Sequence, residues 1–133
     1  MTAIKTLIVD DEELARRRLK TLLREDREIK IVGECKNAAE AIHTVRAHQP
    51  SPMFLDVQMP GINGFAVLQA LEQHERPLTI FVTAYDEYAI KAFDFHALDY
   101  LLKPFNRSRF QKALRGKRPP PARNICCANR WPK

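Results

Sequence analysis

The chain has 133 residues, 45% of them hydrophobic and 29% charged, a balance typical of one globular domain rather than of a disordered or collagen-like chain. Its longest apolar runs fall far short of the roughly twenty residues that cross a bilayer, and no signal peptide opens the sequence. Three cysteines, an odd number, argue against a disulfide framework and favour a reducing compartment. We therefore expect a cytoplasmic protein with no membrane segment.

The net charge of +6 comes entirely from the C-terminal end of the chain. Residues 1–114 contain 16 basic and 16 acidic side chains, whereas residues 115–133 contain six basic side chains, four prolines and no acid. This composition predicts a neutral domain over 1–114 and a basic, Pro-rich tail over 115–133 that is disordered. Residues 1–114 show no motif that reads bases, and phosphate contacts from the tail carry no sequence information, so we expect no sequence-specific DNA binding by this chain itself.

Hydrophobic periodicity predicts five strands that alternate with five helices. In chain order they are strand 4–9, helix 12–24, strand 29–32, helix 37–48, strand 53–55, helix 65–74, strand 78–82, helix 87–93, strand 100–102 and helix 106–114. Strands joined through helices form crossover connections, and these give a parallel sheet with helices on both faces. The predicted fold class is therefore α/β, a doubly wound five-stranded parallel sheet.

Polar side chains follow the predicted strands at the edge of the sheet where ligands bind in such folds. Asp10 and Asp11 follow the first strand, and Asp56 follows the third. Thr83 ends the fourth strand, and the fifth runs into Lys103. We therefore expect three carboxylates, one hydroxyl and one ammonium group to meet at one edge of the sheet.

This combination of groups favours phosphoryl chemistry. Crowded carboxylates repel one another unless a cation lies among them, and an all-oxygen donor set suits Mg²⁺. Mg²⁺ would let a phosphoryl group approach, and a carboxylate could then attack phosphorus to form an acyl phosphate. Thr83 and Lys103 would bind the phosphoryl oxygens. A simpler alternative is that Asp10, Asp11, Glu12 and Glu13 only cap the first helix and complement its dipole.

Four segments resemble the receiver domain of bacterial two-component response regulators: LIVDDEELARRRL, MFLDVQMPGINGF, FVTAYDEYAIKAF and DYLLKPF. The resemblance covers residues 3–114, and AYDEYAIKAF with LDYLLKPF further resembles receivers that precede a LytTR-type DNA-binding domain. It implies a flavodoxin-like (βα)5 fold with strand order 2-1-3-4-5. It also implies a protein that is not an enzyme, accepts phosphate from a sensor histidine kinase and forms a homodimer on phosphorylation. Transcription would be regulated through an output domain that we expect to be missing from these 133 residues.

The resemblance also implies roles for the residues at the predicted site. Asp56 would be the phosphoacceptor. Mg²⁺ would be held by Asp11, Asp56 and the backbone carbonyl of Gln58, with Asp10 acting through a water molecule.

Four further residues match positions of the family, and two of them, Thr83 and Tyr100, match its switch. Thr83 would move with its loop toward the phosphoryl group, and Tyr100 would pack into the space that the loop vacates. Lys103 would bind the phosphoryl oxygens, and a cis peptide bond before Pro104 would aim it inward.

Three other functions are open at this point. A Mg²⁺-dependent aspartyl-phosphate phosphohydrolase usually has a second acid two residues after its nucleophile, but position 58 is Gln. A flavin-binding module needs a phosphate loop rich in glycine and hydroxyls, where this chain has four acids in DDEE. A stand-alone receiver adaptor that acts through protein–protein contacts fits the sequence without an output domain.

Overall fold

The computed structural model describes residues 4–59, 62–95 and 97–116. Five parallel strands form one sheet, in the order β2-β1-β3-β4-β5. This order confirms the predicted doubly wound topology. The strands are β1 Ile4–Val9, β2 Ile29–Cys35, β3 Met53–Leu55, β4 Thr79–Thr83 and β5 Asp99–Leu102.

Helices cover both faces of this sheet, because successive strand residues point to opposite sides. Leu7 and Val9 of β1 belong to one core, and Ile8 between them belongs to the other. The first core is closed by α2, α3 and α4, and the second by α1 and α5. The helices are α1 Glu13–Leu23, α2 Ala38–His48, α3 Gly64–Ala70, α4 Ala89–Asp94 and α5 Arg107–Gly116.

The third helix is shorter than predicted. The sequence predicts a helix over 65–74, but α3 ends at Ala70 because Leu71 has an extended backbone. The Arg76 Nε group donates to the carbonyl oxygens of Leu68 (2.7 Å) and Leu71 (3.3 Å), which satisfies carbonyls at the helix end. A short 3₁₀ helix, Gln73–Glu75, follows instead.

Other boundaries also differ from the prediction. Strand β2 continues to Cys35 instead of ending at 32, because it pairs with β1 beyond a register shift opposite Thr6 and Leu7. A 3₁₀ helix, Asp86–Tyr88, precedes α4 where one helix over 87–93 is predicted. The structure also has a short antiparallel hairpin whose two strands, Gln58–Met59 and Ile62–Asn63, have two residues each. The hydrophobic pattern does not predict this hairpin.

Helix α5 runs to Gly116, two residues beyond the predicted domain end. Residues 117–133 lie outside the described residues, so a disordered tail stays a prediction. Within the described ranges, none of the helices has both the length and the hydropathy needed to span a membrane.

Candidate functional site

Three aspartates meet at the carboxyl ends of β1 and β3. The two strands pair with Val9 opposite Leu55, and the Asp56 N–H donates to the Val9 carbonyl at 2.9 Å. The residues that follow the two strands are therefore neighbours. Asp10, Asp11 and Asp56 each offer a carboxylate oxygen, and these atoms lie within 4.8 Å of one another. Asp10 and Asp56 are only 1% and 4% exposed, and Asp11 is half-buried.

Lys103 projects into the same cluster from the end of β5. Its Nζ lies 2.9 Å from Asp10 Oδ2, 3.3 Å from Glu12 Oε1 and 3.5 Å from Asp56 Oδ2. Its backbone N–H donates to the Thr83 carbonyl at 2.7 Å, which continues the pairing of β5 with β4. The peptide bond before Pro104 is cis, as expected. The structure thus brings the predicted lysine into contact with two of the three predicted aspartates, Asp10 and Asp56.

Each buried aspartate also stabilises the turn that follows it. Asp10 Oδ1 accepts the Glu12 N–H at 2.9 Å, and Asp56 Oδ1 accepts the Gln58 N–H at 3.1 Å. Helix α1 has Glu12 as its N-cap, with no side-chain hydrogen bond that caps the helix. The arrangement therefore favours a functional site over the alternative in which the aspartates only cap α1.

Gly64 allows the start of α3 to approach the Asp56 backbone. An ideal Cβ at this position would lie 2.3 Å from the Asp56 carbonyl oxygen, closer than real Cβ atoms come. The Gly64 N–H donates to the Val57 carbonyl at 2.7 Å, and the Asn63 side chain caps the helix by accepting the Ala66 N–H. A glycine is therefore required here for a steric reason that involves the site itself.

The charges at this edge do not balance. Burial, with the Asp10 carboxylate beside it, raises the pKa of Asp56 from 3.8 to about 7, although Lys103 and the Gln58 N–H oppose the rise. Burial lowers the pKa of Lys103, but its hydrogen bond to Asp10 and the nearby carboxylates outweigh burial and raise that pKa. One ammonium group thus faces a surplus of carboxylates. The site can accept a further positive charge, and its all-oxygen donors fit a hard divalent cation such as Mg²⁺.

The two predicted switch residues contact the same residue. Thr83 is fully buried, and its hydroxyl accepts the Tyr85 N–H at 3.3 Å. Tyr100 is half-buried, and its hydroxyl donates to the Tyr85 carbonyl oxygen. Tyr85 thus links Thr83 to Tyr100 through the loop that follows β4.

Two residues that the sequence pattern does not indicate, Tyr88 and Arg16, contact residues of the site. Gln58 Nε2 donates to the Tyr88 hydroxyl at 2.5 Å, and Arg16 donates to the Asp10 carbonyl oxygen. Arg16 stands first in a run of three arginines. The helical repeat of α1 could have indicated which of these three arginines faces the sheet, whereas the composition of the chain could not.

Comparison with known families agrees with this geometry. The family described as response regulator receiver domain matches residues 6–115 of the chain. The chain therefore belongs to the response regulator receiver domains of two-component systems. Members of this family are regulatory domains and not enzymes. This confirms the prediction of a receiver domain that is not an enzyme. The phosphohydrolase and flavin-module alternatives are wrong.

Several curated relatives are named as transcriptional regulatory proteins. The chain is 53% identical over 111 residues to the transcriptional regulatory protein BtsR of Escherichia coli (strain K12), covering 84% of this chain and 46% of BtsR. It is 54% identical over 111 residues to BtsR of Salmonella typhi, again covering 84% of this chain and 46% of the relative. The chain thus spans about half the length of the curated relatives it matches.

Solved receiver domains share the fold. The response regulatory domain of mrkE from Klebsiella pneumoniae has a TM-score of 0.77 and 31% identity, covering 84% of this chain and 93% of that domain. The receiver domain of the putative response regulator NarL from Mycobacterium tuberculosis has a TM-score of 0.77 and 30% identity, covering 87% and 96%. The LytTR-type subclass stays a prediction.

Proposed function

We propose that Asp56 accepts a phosphoryl group from the phosphohistidine of a sensor histidine kinase. One Asp56 carboxylate oxygen attacks phosphorus, and the new O–P bond forms as the P–N bond breaks. The electron pair of the broken bond stays on the histidine nitrogen, and the imidazole leaves neutral if its other nitrogen carries a proton. The observation that carries this proposal is the buried Asp56 carboxylate, which faces Lys103 and lies within 4.8 Å of two further carboxylates.

Asp11, Asp56 and the Gln58 carbonyl would hold Mg²⁺, and Asp10 would act through a water molecule. Bound there, the ion supplies the positive charge that allows a phosphoryl group to approach an acidic site. A bound cation also favours the ionised form of Asp56, whose pKa is otherwise raised to about 7. Asp56 is a nucleophile only in that ionised form.

Lys103 and Thr83 would convert phosphorylation into a change of shape. Lys103 already contacts Asp56, so a phosphoryl oxygen can take over part of its ion pairing. The Thr83 hydroxyl, which now accepts the Tyr85 N–H, would donate to another phosphoryl oxygen and draw the loop inward. Tyr100, hydrogen-bonded to the same loop, would then repack, and the altered face would form a homodimer.

An apolar groove beside Lys103 supports contact with the kinase. It has a volume of about 230 Å³, and Leu14 at its rim is 76% exposed. Lys103 lines this groove and contacts Asp56, so a protein that brings a phosphoryl group to Asp56 would lie beside the groove. The groove is lined by Leu14, Ala15, Arg18, Leu19, Val82, Lys103, Pro104 and Phe105.

The name of BtsR supports a transcriptional role for the longer protein of which this chain would form the receiving part. We extend that role to this chain as a proposal, together with its cytoplasmic location. DNA would be contacted through an output domain and not by residues 1–114, which carry no net charge.

Phosphorylation from a small donor tests the site. The chain is incubated with acetyl phosphate and Mg²⁺, and its intact mass is measured. We expect one phosphoryl adduct on the wild type and on Asp94→Asn, a control that removes an exposed aspartate of α4. Asp56→Asn should carry no adduct. A full adduct on Asp56→Asn, or none on the wild type, would contradict the assignment.

A further inference from the structure

Arg16 contacts the backbone of the acidic site from the first turns of α1. Its Nη1 donates to the Asp10 carbonyl oxygen at 2.7 Å, a short distance for a charge-assisted hydrogen bond. The Arg16 side chain is only 15% exposed, whereas that of the next residue, Arg17, is 64% exposed. Arg16 is thus turned toward the sheet, and Arg17 is not.

Glu34 on strand β2 fixes the orientation of the Arg16 guanidinium. Arg16 Nε lies 3.3 Å from Glu34 Oε1, and Lys20 Nζ lies 2.8 Å from Glu34 Oε2. The hydrogen bond from Lys20, together with Arg16, lowers the pKa of Glu34 against the effect of burial. Glu34 belongs to β2 and pairs with Ile8 of β1. The guanidinium therefore spans from β2 to the turn that follows β1.

The atom that Arg16 binds controls where Asp11 lies. The Asp10 carbonyl belongs to the planar peptide unit that joins Asp10 to Asp11. Other bonds fix the remaining groups of Asp10: its N–H donates to the Cys35 carbonyl at 3.0 Å, and its carboxylate binds Lys103 and the Glu12 N–H. The hydrogen bond from Arg16 restrains the peptide plane between Asp10 and Asp11.

We propose that Arg16 is a positioning residue that holds the Asp10–Asp11 peptide plane and so keeps the Asp11 carboxylate within reach of Asp56 for divalent cation binding. Glu34 and Lys20 orient Arg16 for this role. This inference rests on the proposed function, because it concerns the same cation site. It assigns a role to a basic side chain whose described contacts are the Asp10 carbonyl oxygen and Glu34.

A positioning role and a purely electrostatic role of Arg16 predict opposite changes in Mg²⁺ affinity when its side chain is removed. By Coulomb's law, a cation near a cation site weakens metal binding, so its loss would tighten that binding. Loss of a positioning residue weakens it, and groups that orient metal ligands typically contribute about 10–100-fold to metal affinity. Arg17→Ala is a matched control, because it removes the same charge from the adjacent position, where Arg17 pairs only with Glu13 among the contacts described.

The test is a Mg²⁺ titration of the wild type, Arg16→Ala, Arg16→Lys and Arg17→Ala. Binding is monitored by calorimetry and by the amide NMR signal of Asp11. We expect Arg16→Ala to weaken Mg²⁺ binding at least about tenfold. Arg16→Lys should weaken it as well, because one ammonium group lacks the fork that reaches both Asp10 and Glu34. Arg17→Ala should bind like the wild type or slightly more tightly.

Urea unfolding in EDTA shows whether each variant is folded, and if Arg16→Ala is not, Arg16→Lys decides the question. Lower stability with unchanged Mg²⁺ affinity in the folded protein would overturn the positioning role, as would tighter binding by Arg16→Ala. Both outcomes leave the proposed function intact. A wild type that binds no Mg²⁺ would overturn the proposed cation site and the positioning role with it.

Discussion

Replacing Asp56 with asparagine should stabilise the fold when no divalent cation is present. Asparagine has nearly the same shape, and its side-chain oxygen can still accept the Gln58 N–H that Asp56 Oδ1 accepts at 3.1 Å. The substitution removes a carboxylate that is 4% exposed and adjoins Asp10. Asp56→Asn therefore isolates the cost of a buried negative charge.

The pKa of Asp56 gives the size and sign of this cost. A pKa raised from 3.8 to about 7 means that the ionised form is disfavoured in the folded protein by about 4 kcal/mol. The folded state holds its proton to higher pH than the unfolded state does. Wild-type stability therefore falls as the pH rises from about 4 to about 7, and the full cost is present above that range.

Urea unfolding over a pH series in EDTA measures the effect. We expect wild type and Asp56→Asn to be similar near pH 4 and to diverge by up to about 4 kcal/mol near pH 8, with Asp56→Asn the more stable. Saturating Mg²⁺ should stabilise the wild type more than Asp56→Asn, because binding to the folded state adds to its stability. The exposed control Asp94→Asn should follow the wild type.

A difference between the two proteins that stays constant over the pH series would refute this reasoning. So would an Asp56→Asn variant that is less stable than the wild type near pH 8. Either result would mean that packing or hydrogen bonding at Asp56 outweighs the electrostatic cost of its burial.

Two further predictions concern the switch and the backbone of the site. Lys103→Ala should leave Mg²⁺ affinity of the same order or tighten it, because a nearby positive charge is lost, and should abolish the phosphorylation-induced change in oligomeric state measured by light scattering. A normal change in oligomeric state would exclude the coupling role. Gly64→Ala should cost about 1–3 kcal/mol in urea unfolding and weaken Asp56 phosphorylation, because its Cβ would lie 2.3 Å from the Asp56 carbonyl oxygen. Gly33→Ala is the comparison, since its Cβ would meet side-chain atoms of Thr44 and Leu7 at 3.2 and 3.3 Å and not a backbone atom at 2.3 Å, so its loss should be smaller; equal losses would contradict the steric argument.

The sequence by itself determined the order of the elements and the edge of the sheet at which the site lies. Strands 4–9 and 53–55 were predicted with the bounds they have, because each is a short apolar run that ends at an acid. Once the strands are parallel, their carboxyl ends must share one edge, so Asp10, Asp56 and Lys103 could be assigned to one site.

Only the tertiary structure decided where the elements end and which neighbours complete the site. Helix α3 stops at Ala70, with Arg76 bound to its last carbonyls from six residues farther on, and no local propensity records that contact. Arg16 binds the Asp10 carbonyl and Glu34 of β2, and helical phase alone does not predict these partners. The raised pKa of Asp56 likewise follows from burial and from a carboxylate on another strand. The contact of Arg16 with Glu34 of β2 and the raised pKa of Asp56 depend on residues that come together only after the sheet has formed.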